Sequence, residues 1–437
     1  MGSSVLIIGN GGREHALAWK AARSPLAERV FVTPGNGGTA LEPGVENVPI
    51  QASDSDALCA FALEQKITLT IVGPEAPLCA GLVDAFQERG LACLGPSRAA
   101  AALEGSKSFA KAFMARHGIP TAPYAVFSDP AAADSYLKTQ AYPLVMKADG
   151  LAGGKGVFIV QDQRQARAAL GSVMALSPFG AAGPHGIVIE ELVAGDEASF
   201  MVLTDGEHVL PLASSQDHKT LEEGDRGPNT GGMGAYSPAT IISEPTQDRI
   251  LKEIIEPTLN GMKAIDRPYR GFLYAGLMLK EDGTPVVLEF NCRLGDPETQ
   301  AILPRLQSDL IGLCQAALNG ELAGMQAQWD PRPALGVVAV CEGYPGKYQT
   351  GRVIHGLDHH GDPEVMIFHA GTALRDGQIV TAGGRVLCVC ALGNSLTEAQ
   401  QESYRRIQAI HWPGMYYRRD IGHRGLAGRV GGSGGDR

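Results

Sequence analysis

Pro143-Leu-Val-Met-Lys-Ala-Asp-Gly-Leu-Ala-Gly-Gly-Lys-Gly-Val-Phe-Ile-Val160 sets two aliphatic runs around a glycine-rich loop. The pattern predicts strands at 143–149 and 157–160. A glycine loop between two strands is a flap, able to close over phosphates and open again. It is not the strand–G-x-x-x-x-G-K-[ST]–helix loop, which the chain lacks. Lys147 sits among core residues, so it either points to solvent or meets an anion in a cleft. Its place two residues before the flap favours the cleft.

Downstream, the spacing predicts a helix near 163–176 and strands near 187–193, 198–204 and 207–213. A long loop over 214–238 carries Asp217-His-Lys219 and Thr230-Gly-Gly-Met-Gly234. A helix near 246–264 leads to strands 272–279 and 285–291, an antiparallel pair turned at Asp282-Gly283. In Val286-Val-Leu-Glu-Phe-Asn291 the oxygens of Glu289 and Asn291 share one face, their Cα atoms about 6.6 Å apart, with Leu288 and Phe290 toward the core. Hard oxygen ligands so spaced suit Mg²⁺ bridging nucleotide phosphates. The plain alternative is a solvated strand face, although Arg293-Leu-Gly-Asp-Pro-Glu298 follows at once.

Upstream, short aliphatic runs at 5–8, 30–33, 69–72 and 93–94 alternate with helical stretches, as in a parallel α/β sheet. They end in Gly9-Asn-Gly-Gly-Arg-Glu14, Thr33-Pro-Gly-Asn-Gly-Gly-Thr39, Gly73-Pro-Glu-Ala-Pro77 and Gly95-Pro-Ser97, which together read as one binding face. The first is no dinucleotide fingerprint: Glu14 stands where the third glycine belongs, and the second strand ends without an acid. What remains is a strand–turn–helix start suited to an anion, with Arg13 as a phosphate fork; a mere tight turn is the other reading. A helix at 106–117 follows. Residues 334–392 read as mostly β, with a helix near 397–410 and a glycine-dense, mobile tail from Gly425.

At ~150 residues per domain, 437 residues make about three domains. With 37 basic and 47 acidic residues the net charge is −10, which argues against nucleic acid and anionic membranes as partners. Eight cysteines without a C-x-x-C indicate a reducing compartment, Cys388 and Cys390 being buried on one strand face. No apolar run approaches ~18 residues, so a soluble, cytoplasmic protein is expected. His359-His360 beside Asp358 and Asp362 reads as a polar turn before a metal site, and Gly431-Gly-Ser-Gly-Gly435 lacks the strand–helix context of a hydrolase elbow.

Gly9-Asn-Gly-Gly-Arg-Glu-His15, Gly73-Pro-Glu-Ala-Pro-Leu78, Leu103-Glu-Gly-Ser-Lys107, Lys147–Gly156, Ser215-Gln-Asp-His-Lys219, residues 227–236 and Glu289-Phe-Asn-Cys-Arg-Leu-Gly-Asp-Pro-Glu-Thr299 together resemble the phosphoribosylamine–glycine ligase family of the ATP-grasp superfamily. The resemblance covers about residues 4–424. It implies a multidomain α/β and α+β chain. An N-terminal parallel α/β domain (1–103) would bind phosphoribosylamine. An ATP-grasp domain (104–330) would carry a lid at about 124–193, followed by a β-rich domain (331–424) and a disordered tail (425–437). The implied reaction joins glycine to 5-phosphoribosylamine with ATP, through glycyl phosphate, in purine biosynthesis.

By residue, the resemblance puts the ATP phosphates against Lys107, Lys147 and the flap, with Gly153, Gly154, Lys155 and Gly156. Adenine falls to Glu190, Glu191, Leu192 and Val193, and ribose to Glu197. Mg²⁺ or Mn²⁺ falls to Glu289 and Asn291; strand 272–279 lacks the further metal acid of many superfamily members. Substrate contacts are expected from Gly11, Gly12, Arg13, Glu14, Pro74, Glu75, Asp217, Lys219 and Arg293, with Lys147, Arg293 and Asp217 catalytic. A monomer is expected, a dimer being the alternative. Another ATP-grasp ligase or carboxylase would share Lys147, Glu289 and the flap, but not the 217–219 and 230–234 loops. A nicotinamide oxidoreductase lacks its acid, and a non-catalytic nucleotide binder has no use for both Lys147 and the Glu289/Asn291 pair.

Overall fold

The computed structural model describes residues 2–151, 156–176, 186–357 and 363–427. The flap tip with Gly153, Gly154 and Lys155, the His359-His360 turn and residues 428–437 lie outside them. Gly425 does not open a tail: it lies in the short helix His423–Leu426.

The first strand, Ser3–Gly9, is buried along its whole length, in keeping with the aliphatic run Val5–Ile8 at its centre. It centres a parallel sheet in the order Val45–Asn47, Ala27–Pro34, Ser3–Gly9, Leu69–Val72, Cys93–Leu94. Val45–Asn47 gave no sequence signal, being three residues long with an exposed glutamate at its centre. The order reverses at Ser3–Gly9, so the loops after that strand and after Leu69–Val72 open at the crevice where ligands of such sheets bind.

The lid is an antiparallel sheet in the order Tyr124–Phe127, Ile187–Glu191, Leu144–Ala148, Val157–Val160, backed by helices Pro130–Leu137 and Gln163–Leu176. It has a small apolar core of its own, built on Leu137, Met146, Val160, Val173 and Ile189. Two strands form the flap hairpin, closed at its base where Ala148 N donates to Gly156 O at 2.8 Å.

Facing it is the antiparallel sheet Val209–Pro211, Asp196–Thr204, Gly271–Leu279, Pro285–Asn291. The expected helix near 246–264 forms as Glu244–Ile250, a π turn Leu251–Ile255 and Glu256–Ala264. The π turn lies immediately ahead of Pro257, whose ring and missing N–H disturb the preceding helical turn. Strand Pro285–Asn291 bulges: Gly276 pairs with Glu289 and Leu277 with Val287, which leaves Leu288 over. Leu288 is therefore half-buried, contrary to the expectation that it faces the core, while Phe290 is buried.

Residues 214–238 are more than the loop expected from sequence. Gln216–Asp217 and Gly234–Ser237 are strands that extend the C-terminal sheet through Ala334–Cys341, Arg385–Leu392 and Val365–His369, and Thr220–Glu222 pairs with Arg226–Asn229 as a hairpin. Segments this short and glycine-rich carry no period of their own; their partner strand lies about a hundred residues away. Cys388 and Cys390 are buried on that sheet as expected, and all eight cysteines are free.

Candidate active site

Lys147 and Glu190 stand on neighbouring lid strands. Glu190 pairs with Val145, so its side chain shares the face of Lys147, one step along. Both are almost fully buried and form an ion pair, while Lys111 on helix Lys107–His117 takes the other oxygen of Glu190. Lys147 Nζ also donates at 2.9 Å to the carbonyl of Leu288, the residue that the bulge frees from the ladder. Lys107 Nζ donates to Gly150 O at 2.8 Å, at the root of the flap. Asp149 accepts from Ser106 Oγ at 3.2 Å and Ser108 N at 3.2 Å, tying that root to the start of the helix. Gly156 closes the flap's far side and is buried. Glu191 and Leu192 are exposed and Val193 half-buried, at the edge between lid and base.

Glu289 faces this lysine group from the base sheet. Burial would raise its carboxyl pKa, but Lys219, Lys147, Lys107 and Arg293 hold it below the ordinary value. Lys219 approaches it at 3.9 Å and pairs more closely with Glu197. Asn291, two residues on, is buried. Among the described residues no cluster of three His, Cys, Asp or Glu forms a cage for a metal ion. An ionised carboxylate and an amide oxygen beside cations that attract phosphates do fit a Mg²⁺-like ion sharing its ligands with a substrate.

The N-terminal loops converge differently from the expectation. Glu14 folds back, accepting from Gly11 N at 2.5 Å and from Arg13 Nε at 2.5 Å. A Cβ on Gly73 would lie 1.9 Å from its carboxylate, so the glycine that opens the third loop makes room for it. The start of the first helix is thus already served by a carboxylate of its own. Arg13 is buried, with Nη1 donating to Leu294 O at 3.0 Å, and acts as a strut between two domains. Gly12, beside it, packs against the Gln300 amide. The loop 34–39 lies under the C-terminal domain, where Asn36 Nδ2 donates to His369 O at 2.7 Å. Gly95 packs against Gly271.

Arg293 joins the two halves. It pairs with Glu75, which follows Pro74 at the start of a helix, at 3.4 Å, and with Glu104 at 3.3 Å. Burial works against its charge, yet Glu104 and Glu75 raise its pKa further. Burial raises Glu104, whereas at Glu75 burial is outweighed by Arg293, Arg13 and hydrogen bonds together, and its pKa is lowered. Sequence reasoning missed Glu104, Lys111, Asp296 and Arg385. Glu104 was in view, inside the quoted Leu103–Lys107 motif, but nothing in its spacing linked it to Arg293.

Asp217 is buried beside Lys219, and its Oδ1 has no hydrogen-bond partner among the described residues. Burial, aided by Glu298 and Glu197, pushes its pKa up to about 8 against the pull of Lys219. Glu298 accepts from Tyr274 OH at 2.7 Å and Ser199 Oγ at 3.1 Å. An unfolded aspartate has a pKa of about 3.9, so between about pH 4 and 8 the native protein holds a proton that the unfolded chain releases. The stability it contributes is full below that window and is lost as pH rises through about 8. From about pH 5 to about pH 9, the melting temperature of the parent should fall relative to that of Asp217→Asn. Melting curves that run parallel across that range would show the group to be ordinary.

Residues 3–104, 105–299 and 334–424 match the N, ATP-grasp (A) and C domains of phosphoribosylglycinamide synthetase. A phosphoribosylamine–glycine ligase of Allochromatium vinosum is 59% identical over 423 residues, covering 97% of this chain and 99% of that protein. One from Yersinia pestis is 55% identical over 97% and 99% of the two. Among solved structures, the phosphoribosylamine–glycine ligase of Thermotoga maritima superposes with a TM-score of 0.82 at 34% identity, over 96% of this chain and all of that one. A biotin carboxylase from Campylobacter jejuni, at 15% identity, covers 97% and 98% with a TM-score of 0.70 and shares the fold alone.

Proposed function

The chain belongs to the phosphoribosylglycinamide synthetase family, and from that premise we propose how its residues divide the work. It is an ATP-dependent ligase of purine biosynthesis, joining glycine to 5-phosphoribosylamine to give glycinamide ribonucleotide, ADP and phosphate. ATP and a divalent metal serve the reaction. We assign the metal to Glu289 and Asn291, as Mg²⁺ with Mn²⁺ able to replace it; when bound, it neutralises charge on the transferring phosphoryl oxygens.

The glycine carboxylate is a poor acyl donor. In the proposed route one of its oxygens attacks the γ-phosphorus, the bond to ADP breaks, and glycyl phosphate forms. The amine of phosphoribosylamine then attacks the carbonyl carbon, phosphate leaves with the C–O bonding pair, and the amine gives up a proton. Lys107, Lys147 and the flap hold the phosphates, 190–193 the adenine and Glu197 the ribose of ATP. Arg293 holds the glycine carboxylate and its phosphorylated form. Gly11, Gly12, Arg13, Glu14, Pro74 and Glu75 frame the phosphoribosylamine, with Asp217 and Lys219 at the junction. Flap closure keeps water from the acyl phosphate. The same reading divides the chain at 1–103, 104–330 and 331–424, in a cytoplasmic monomer.

One observation carries this division: Glu289 is kept ionised by three lysines drawn from separate elements, a charge pattern that serves bound phosphates and metal. Phosphate release should require ATP, Mg²⁺, glycine and phosphoribosylamine together, and alanine should not replace glycine. Glycine labelled with oxygen-18 in its carboxylate should pass one label to the released phosphate. Unlabelled phosphate would exclude the acyl phosphate.

A further inference from the structure

Arg385 begins a strand of the C-terminal sheet, yet its side chain leaves that domain. Its Nη1 donates to the carbonyls of Gly231 and, at 2.8 Å, Asp296; its Nη2 pairs with the Asp296 carboxylate at 3.1 Å. From the other side, Gly231 N donates to the hydroxyl of Tyr344 at 2.9 Å, in the turn after Ala334–Cys341. The backbone at Gly231 is therefore gripped at N–H and C=O by two side chains of one domain.

The glycines fit this grip. A Cβ on Gly231 would lie 3.1 Å from the Arg385 guanidinium carbon, and one on Gly232, at φ +108°, 2.4 Å from Pro297 Cδ. Gly231 thus leaves room for the Arg385 guanidinium and Gly232 for the Pro297 ring, the latter also at a φ that favours glycine.

What the grip holds lies on both sides of the cleft. Burial alone would raise Asp296, but Arg385 and Arg13 keep it ionised. One of its oxygens lies 3.1 Å from where a Cβ on Gly11 would stand, at the mouth of the first N-terminal loop, and Gln300 Nε2 donates to the other at 2.7 Å. On the far side, Thr230 N donates to Lys219 O at 2.7 Å, behind the ammonium that approaches Glu289.

We infer that Arg385 and Tyr344 are positioning residues by which the C-terminal domain sets the phosphoribosylamine subsite, acting through Asp296 and the Gly231–Gly232 backbone. The inference rests on the ligase reading above. Arg385 touches Asp296 directly, beside the loops assigned to the amine substrate. It reaches Lys219 only through the Gly231–Gly232 backbone and Thr230, so the larger part of its effect falls on the amine substrate. Lysine at this position keeps the charge but cannot grip two carbonyls and a carboxylate at once.

Initial rates are measured with each of ATP, glycine and phosphoribosylamine varied in turn, for the parent, Arg385→Lys and Tyr344→Phe. Arg385→Lys should raise KM for phosphoribosylamine about tenfold or more and leave the other two within about twofold. Tyr344→Phe removes the hydroxyl that accepts from Gly231 N and should shift the same constant by about threefold, with the other two KM values unchanged. The inference is overturned if all three KM values rise together, as in a loosened fold, or if both variants match the parent. A parent that makes no glycinamide ribonucleotide would instead overturn the ligase reading, and this inference with it.

Discussion

Replacing Lys147 by alanine should lower kcat by about 10²–10³-fold, the scale on which removing one preorganised donor to a transition-state oxyanion acts. The side chain carries no water shell to fall back on: its ammonium is buried between Glu190 and the carbonyl of Leu288. Its position is set before substrate arrives, so nothing is spent on arranging it during the reaction. The variant should still fold, since Glu190 keeps Lys111 as its partner. The check is ADP release under saturating substrates, with circular dichroism to establish folding. A loss below about tenfold would remove Lys147 from the phosphate site.

The second large effect is on stability. Glu190→Gln deletes the carboxylate that Lys111 and Lys147 share, and leaves two buried ammonium groups facing each other. Breaking a buried pair in this way costs about 3 kcal/mol or more, far above the value of a surface pair. Burial already lowers the pKa of Lys111, so the variant would relieve part of the cost by shedding a proton there. The damage should be local. Amide exchange in Leu144–Ala148 and Ile187–Glu191 should speed up by roughly 10²-fold, while Ser3–Gly9 keeps its protection. Equal exchange in variant and parent would mean that the triad contributes nothing net.

Much of this was legible in advance. Leu69–Val72 falls where its largely aliphatic run places it, being buried along its length; Val157–Val160 does so too, although only Val160 of that strand is buried. Glu289 and Asn291 were visible as a pair two residues apart, and the family motifs pointed to Lys147 and Arg293. Three kinds of information were not. A bulge such as that at Leu288 depends on the partner strand and leaves no period in its own. Gln216–Asp217 is a strand only because the C-terminal sheet is there to receive it. And Glu14 looked like an obstacle to the glycine loop, when the glycines in fact pack around it. A single sequence shows which side chains are polar; which of them hold one another and which wait for a ligand is decided by contacts made across domains.

The Lys147–Leu288 hydrogen bond has one more consequence. The lysine belongs to the lid, which packs around its own core, and the carbonyl and Glu289 belong to the base. An outward swing of the lid would carry Lys147, the cation proposed for the ATP phosphates, away from the base carboxylate opposite it. On that reading the two halves would act as an interlock, the open posture being also the one that lacks this cation.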